Sequence, residues 1–136
     1  MIKLKSILEA TISYRNDQTG KREIGEGPHF VSLGRQRVGV FHVKDIGTIA
    51  FDPMNKIGQK AKGPALPNTI FMFGGMAIML SRQGIGRKVI EKIFKDNPNI
   101  QHITLYTTDQ AIGFWKKLGG VVLGERSGTY YVRVDR

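Results

Sequence analysis

The change of period between Ser81 and Arg87 constrains this chain more than any other feature. Thr69 to Leu80 is an apolar run of strand formers, interrupted only by Gly74-Gly75. From Ile85 onward the pattern is helical. Ile85, Val89, Ile90, Ile93 and Phe94 fall on one half of a helical wheel, and Arg87, Lys88, Glu91, Lys92 and Lys95 on the other. A strand that enters a helix through Gly84-Ile85-Gly86 lets backbone N–H groups approach an anion without a Cβ in the way. The start of the helix adds partial positive charge at the same place. The two glycines would equally permit close packing of helix on sheet, so both uses stand at this point.

The other elements follow from alternation and punctuation. Residues 6 to 14 are rich in strand formers, and residues 15 to 28 gather into a polar connection. His29 to Leu33 and Val38 to Val43 read as strands joined by a turn at Gly34-Arg35-Gln36, hence a hairpin, with a further strand from Ile46 to Phe51. Asp52 to Pro67, with its prolines, glycines, Lys56, Lys60 and Lys62, reads as a mobile basic loop. Asn97-Pro98 stops the helix. Ile103 to Tyr106 is a strand, and Thr107-x-x-Gln110 has the form of a capping box for a short helix that turns Ala111, Phe114, Trp115 and Leu118 inward. Gly119 can supply that helix with a left-handed cap, and a last hairpin turns at Arg126-Ser127-Gly128. Many strands, helix, strand, helix and hairpin make an α+β domain with a largely antiparallel sheet.

Bulk properties bound the function. A chain of 136 residues that is 40% apolar fits one globular domain. It has no cysteine, which excludes disulfides, Cys-based zinc sites and a thiol nucleophile. His29, His42 and His102 have no metal-ligand spacing. No apolar run reaches the roughly 18 residues needed to span a bilayer, so a cytoplasmic protein without membrane partners is expected. The formal charge of +10 is spread along the whole chain. It gives long-range attraction to anions, and nucleic acid is one partner it allows.

The glycine turn fits neither a P-loop, whose Gly-Lys-[Ser/Thr] string is missing, nor a Rossmann fingerprint, whose third glycine is Val89. Strand–[Arg/Gln]-x-x-Gly-x-Gly–helix resembles the acyl-CoA loop of the GNAT acetyltransferase superfamily. Asp109-Gln110-Ala111-Ile112-Gly113-Phe114-Trp115-Lys116-Lys117-Leu118-Gly119-Gly120 is similar to that family's second motif, Asn-x-x-Ala-x-x-Phe-Tyr-x-Lys-x-Gly-Phe. The likeness covers roughly residues 69 to 136. It implies an acyl-CoA N-acyltransferase (GNAT-like) fold, a mostly antiparallel mixed sheet flanked by helices, with reduced N-terminal helices. It also implies acetyl-CoA as co-substrate. Met76, Ala77 and Ile78 would pair with the pantetheine arm. The N–H groups of Arg82, Gln83, Gly84, Ile85, Gly86 and Arg87 would hold the pyrophosphate. Asp109 and Phe114 would meet the pantetheine, and Lys117 or Lys116 a phosphate.

The sequence also departs from that pattern. Ser81 stands where the family has Arg or Gln, and Gly120 stands at the last aromatic position. The strand before the turn carries no acid to order a base water. Trp115 replaces the family's tyrosine, and an indole N–H cannot act as an acid near neutrality. Tyr106 is the better acid candidate. Two functions therefore follow. One is acetyl transfer from acetyl-CoA to an amine of unknown acceptor. The other is a catalytically silent binding or structural protein, similar to small domains of tailed phages found in virions, or associated with nucleic acid.

Overall fold

The computed structural model describes residues 27–33, 36–74 and 84–136. The described residues form six strands, β1 (His29–Leu33), β2 (Gln36–Ile49), β3 (Leu66–Phe73), β4 (His102–Thr108), β5 (Val121–Arg126) and β6 (Thr129–Asp135). The helices among the described residues are α1 (Ile85–Asp96) and α2 (Ile112–Lys117). The strands form one mixed sheet in the order β1-β2-β3-β4-β6-β5.

This corrects the expected acyltransferase fold. That fold requires a sheet flanked by several helices. The described residues form a mixed sheet with only two short helices, of 12 and 6 residues. Between Pro28 and Gly74 the described residues include no helix. The physical reason is the period of the apolar residues: Phe41 and Val43 are buried at a spacing of two, and Thr69 to Met72 are buried without a break. Neither pattern leaves an apolar stripe for a helix.

The chain divides into two compact units, Met1–Val43 with Phe73–Asn97 and Lys44–Met72 with Pro98–Arg136. In the first, β1 and β2 pair antiparallel, His29 opposite Phe41 and Leu33 opposite Gln36, with a bulge between Val31 and Ser32. This is the expected hairpin. His29 is fully buried, its ring 5.1 Å from that of Phe41. Helix α1 buries Val89, Ile90, Ile93 and Phe94 and exposes Arg87, Glu91 and Lys95, as its periodicity predicts. Asn97 ends it: both its backbone N–H and its Nδ2 donate to the Ile93 carbonyl, at 3.0 and 2.8 Å.

In the second unit β3 and β4 are parallel, with Ile70 opposite Ile103, and β6 lies antiparallel between β4 and β5. Ile49, Ala61, Phe71, Leu123 and Tyr131 form a core, with Ile46, Ile57, Leu66 and Tyr106 packed against it. Positive φ at Ser127 and Gly128 gives the two-residue turn that a tight hairpin favours. Helix α2 ends in a Schellman motif. Gly119 has φ +84°, its N–H donates to Lys116, and that of Gly120 donates to Trp115.

Three local expectations change. The strands expected at Val38 to Val43 and Ile46 to Phe51 are one continuous strand, β2, which runs on through Lys44-Asp45; the Asp45 carboxylate accepts the Gly47 N–H at 2.9 Å. The break expected at Gly74 stands, with φ +91° where β3 ends, and the strand expected to continue over Met76 to Leu80 lies outside the described residues. The Thr107 capping box does not form, because Thr107 is buried within β4 and α2 starts at Ile112 without a side-chain cap. The segment from Asp52 is a set of defined turns, and β3 starts at Leu66. The strand expected over residues 6 to 14 lies outside the described residues, as does nearly all of the polar connection after it.

Candidate functional sites

The first candidate is the glycine turn. Gly84 is exposed and left-handed, φ +70°, and a Cβ built there would meet nothing within 4 Å. Its carbonyl accepts the Lys88 N–H at 3.3 Å, the first bond of α1. No side chain caps this end, and its first turn has no acid. Gly86 is buried and Arg87 exposed. The glycine at 84 is therefore required by backbone conformation and not by close packing. Met76, Ala77, Ile78, Arg82 and Gln83 lie outside the described residues.

The remaining residues expected to hold the cofactor belong to the second unit. Asp109 is exposed and accepts the Tyr130 hydroxyl at 2.6 Å. That hydrogen bond raises the Tyr130 pKa above its ordinary value. Phe114 is half-buried and stands edge-on to Trp115 at 4.9 Å. Lys116 and Lys117 are exposed in the last turn of α2, where they suit the helix dipole. Trp115 is 6% exposed and belongs to the interior.

The second candidate surrounds the turns after β2. Asp52, 4% exposed, organises them. Its carboxylate accepts the N–H groups of Met54 at 2.9 Å and Ile57 at 2.6 Å, and an antiparallel bridge joins Phe51 to Lys60. The Lys62 N–H donates to the Leu123 carbonyl at 3.0 Å. A cavity of about 240 Å³ opens there, lined in part by Ile57, Lys60, Ala61, Lys62, Leu123 and Glu125. Tyr131 also borders it. Burial pushes the Tyr131 phenol up to about 12, so it is a neutral group that donates to Thr104 Oγ1 at 2.9 Å. The neighbouring Tyr106 hydroxyl is buried without a hydrogen-bond partner, and Lys56 Nζ stands 5.6 Å from its ring centroid.

The sequence reading marked Lys56, Lys60, Lys62 and Tyr106 but missed Asp52 and Phe51. Asp52-Pro53 is a turn signal that was there to be found. His42 stacks on Phe73 at 5.4 Å, and His102 Nδ1 lies 2.8 Å from the Asp135 carboxylate. Among the described residues no group of three or more His, Asp or Glu side chains could hold a metal ion. No helix among them is long and apolar enough to cross a membrane.

No family model matches the chain, and no curated protein matches it in sequence. A crystal structure of PH1933 from Pyrococcus horikoshii OT3 is similar to it at 16% identity and a TM-score of 0.44. The match covers 79% of this chain and 64% of that one, so the chain spans less than two thirds of that structure. A likeness at this level bears on neither activity nor ligand.

Proposed function

We propose that the chain binds acetyl-CoA and transfers its acetyl group to an amine, with the turn from Gly84 to Arg87 receiving the diphosphate. The observation that carries this reading is the backbone of that turn. Gly84 is exposed at φ +70° with open space where a side chain would be, and the start of α1 has neither a capping side chain nor an acid. Such a helix start leaves N–H groups available to an anion, and exposed Arg87 adds a full charge. The reading rests on the turn and its sequence motif, not on the several-helix scaffold, which the described residues do not form.

Acetyl-CoA supplies an activated thioester. The chain's own work is to hold it and to manage the amine proton. A second reading, a binding or structural protein without acetyl transfer, is favoured by two observations. Asp109 is engaged by Tyr130, and Trp115, at the family's tyrosine position, is interior.

Titration calorimetry with acetyl-CoA tests the binding. Gly84→Asn, which tolerates positive φ, should retain most of the affinity, and Gly84→Asp should lose it through charge. Absence of heat at millimolar acetyl-CoA overturns the proposal. Because the chain has no cysteine, coenzyme A released with a panel of amines can be read by a thiol reagent without protein background. Binding without thiol release selects the second reading.

A further inference from the structure

We propose that the turn from Phe51 to Lys62 is a docking surface for single-stranded nucleic acid, with Phe51 as a stacking ring and Lys60 and Lys62 as phosphate contacts. Phe51 is 61% exposed, and Met54 on the same turn is 48% exposed. One exposed aromatic residue needs no explanation by itself. Its setting gives it one. The antiparallel bridge sets Phe51 directly opposite Lys60, which puts the two side chains beside each other on one face. Lys60 and Lys62 are both exposed, both border the cavity of about 240 Å³, and neither makes an ion pair among the described residues. Lys56 is different, being held over the Tyr106 ring.

The cavity favours a base over a phosphate. Ile57, Ala61 and Leu123 supply apolar walls, and beside Asp52 the lining holds the Glu125 carboxylate. A phosphate inside would meet that carboxylate, whereas a base is neutral and carries N–H donors on its edge. The volume lies below the ~300–1,000 Å³ of sites that enclose drug-sized ligands, which suits a single base. A flat ring flanked by cations matches an unpaired strand, whose bases are free to stack, and not a duplex, whose bases are already stacked. The charge of +10 adds attraction at long range. The surface lies wholly within the second unit, so the proposal stands independently of the coenzyme A reading.

Fluorescence anisotropy with a labelled U12 RNA and the matching A12–U12 duplex tests it over a salt series. The single strand should bind more tightly than the duplex. Phe51→Ala should weaken binding about tenfold. Phe51→Tyr should restore it, and Phe51→Leu, which keeps apolar area without the π-face, should not. Lys60→Ala with Lys62→Ala should lower the salt slope by about 1.4. The exposure of all three side chains makes a folding defect unexpected, and thermal melting of each variant checks this. The proposal is overturned by no binding of U12, by Phe51→Ala within twofold of wild type, or by an unchanged salt slope. Equal affinity for the duplex, or equal competition by poly-glutamate, also overturns it, the first in favour of charge alone and the second of an acidic protein.

Discussion

Ile57 is seated against Gly124: a Cβ at Gly124 would come 2.5 Å from Ile57 Cγ2 and 3.5 Å from its Cβ. Gly124 sits at the bulge in β5, and Ile57 packs on the core of the second unit. A methyl group carried on a branched Cβ cannot swing away freely. Gly124→Ala should therefore cost about 1–3 kcal/mol in urea unfolding. Ile57→Ala in the same chain should recover part of that loss, giving a non-additive double-mutant cycle. Additive losses would show that the two residues do not share the space.

Asp52 offers a second measurement. Its buried carboxylate accepts two backbone N–H groups. Asp52→Ala leaves both donors without a partner and should cost about 2–4 kcal/mol, while Asp52→Asn keeps an acceptor and should cost less than half of that. Hydrogen exchange at the Ile57 amide should rise in the alanine variant well before global unfolding. Unchanged protection there would remove Asp52 from its organising role.

Tyr131 sets an alkaline limit. Its pKa is raised from 10.0 to about 12 in the folded state, chiefly by burial, with the Thr104 hydrogen bond opposing and the Asp52 charge assisting. Between those values the unfolded chain has released the proton and the folded chain still holds it. Stability from this residue is thus fully present below pH 10 and is lost as pH rises towards 12, by roughly 3 kcal/mol in all. Tyr131→Phe forfeits the bond to Thr104 but should show a flatter stability curve over that range. Parallel curves for the two proteins would contradict the assignment.

The end of α2 makes a further test. A Cβ on Gly120 would lie 2.6 Å from the Trp115 carbonyl oxygen, the acceptor of Gly120's own N–H. Gly120→Ala should break that bond and cost about 2 kcal/mol, visible as a lower melting temperature and altered Trp115 fluorescence. Gly119→Asn, which accepts φ +84°, should be nearly neutral.

The sequence disclosed those elements whose determinants are local. Helix α1 was written in its period and its Asn97 stop, and the last hairpin in Ser127-Gly128. It hid what depends on distant partners. Prolines, glycines and lysines after Asp52 look like an unstructured loop until one carboxylate collects two amides and Gly124, far along the chain, makes room for Ile57. Lys44-Asp45 looked like a break because its polarity interrupts the alternation, yet β2 runs on through it. Thr107 had a capping spacing, but burial in β4 removed its hydroxyl from the task. At the candidate sites, the glycines of the phosphate turn were legible as residue types. The tie between Asp109 and Tyr130 was not, because it joins residues 21 positions apart, nor was the pairing of Phe51 with Lys60, which depends on the turns between them.

The strand β6 is synthesised after β5 and yet separates it from β4. While the ribosome is still adding residues 129–135, β5 has no neighbour with which to pair. Apart from the Leu123 carbonyl, which the Lys62 N–H meets, its ladder groups stay open until the strand that follows it folds back. Folding of this unit is thus coupled to its final strand, and a nascent chain stalled before Thr129 would present a sticky edge for chaperones to cover.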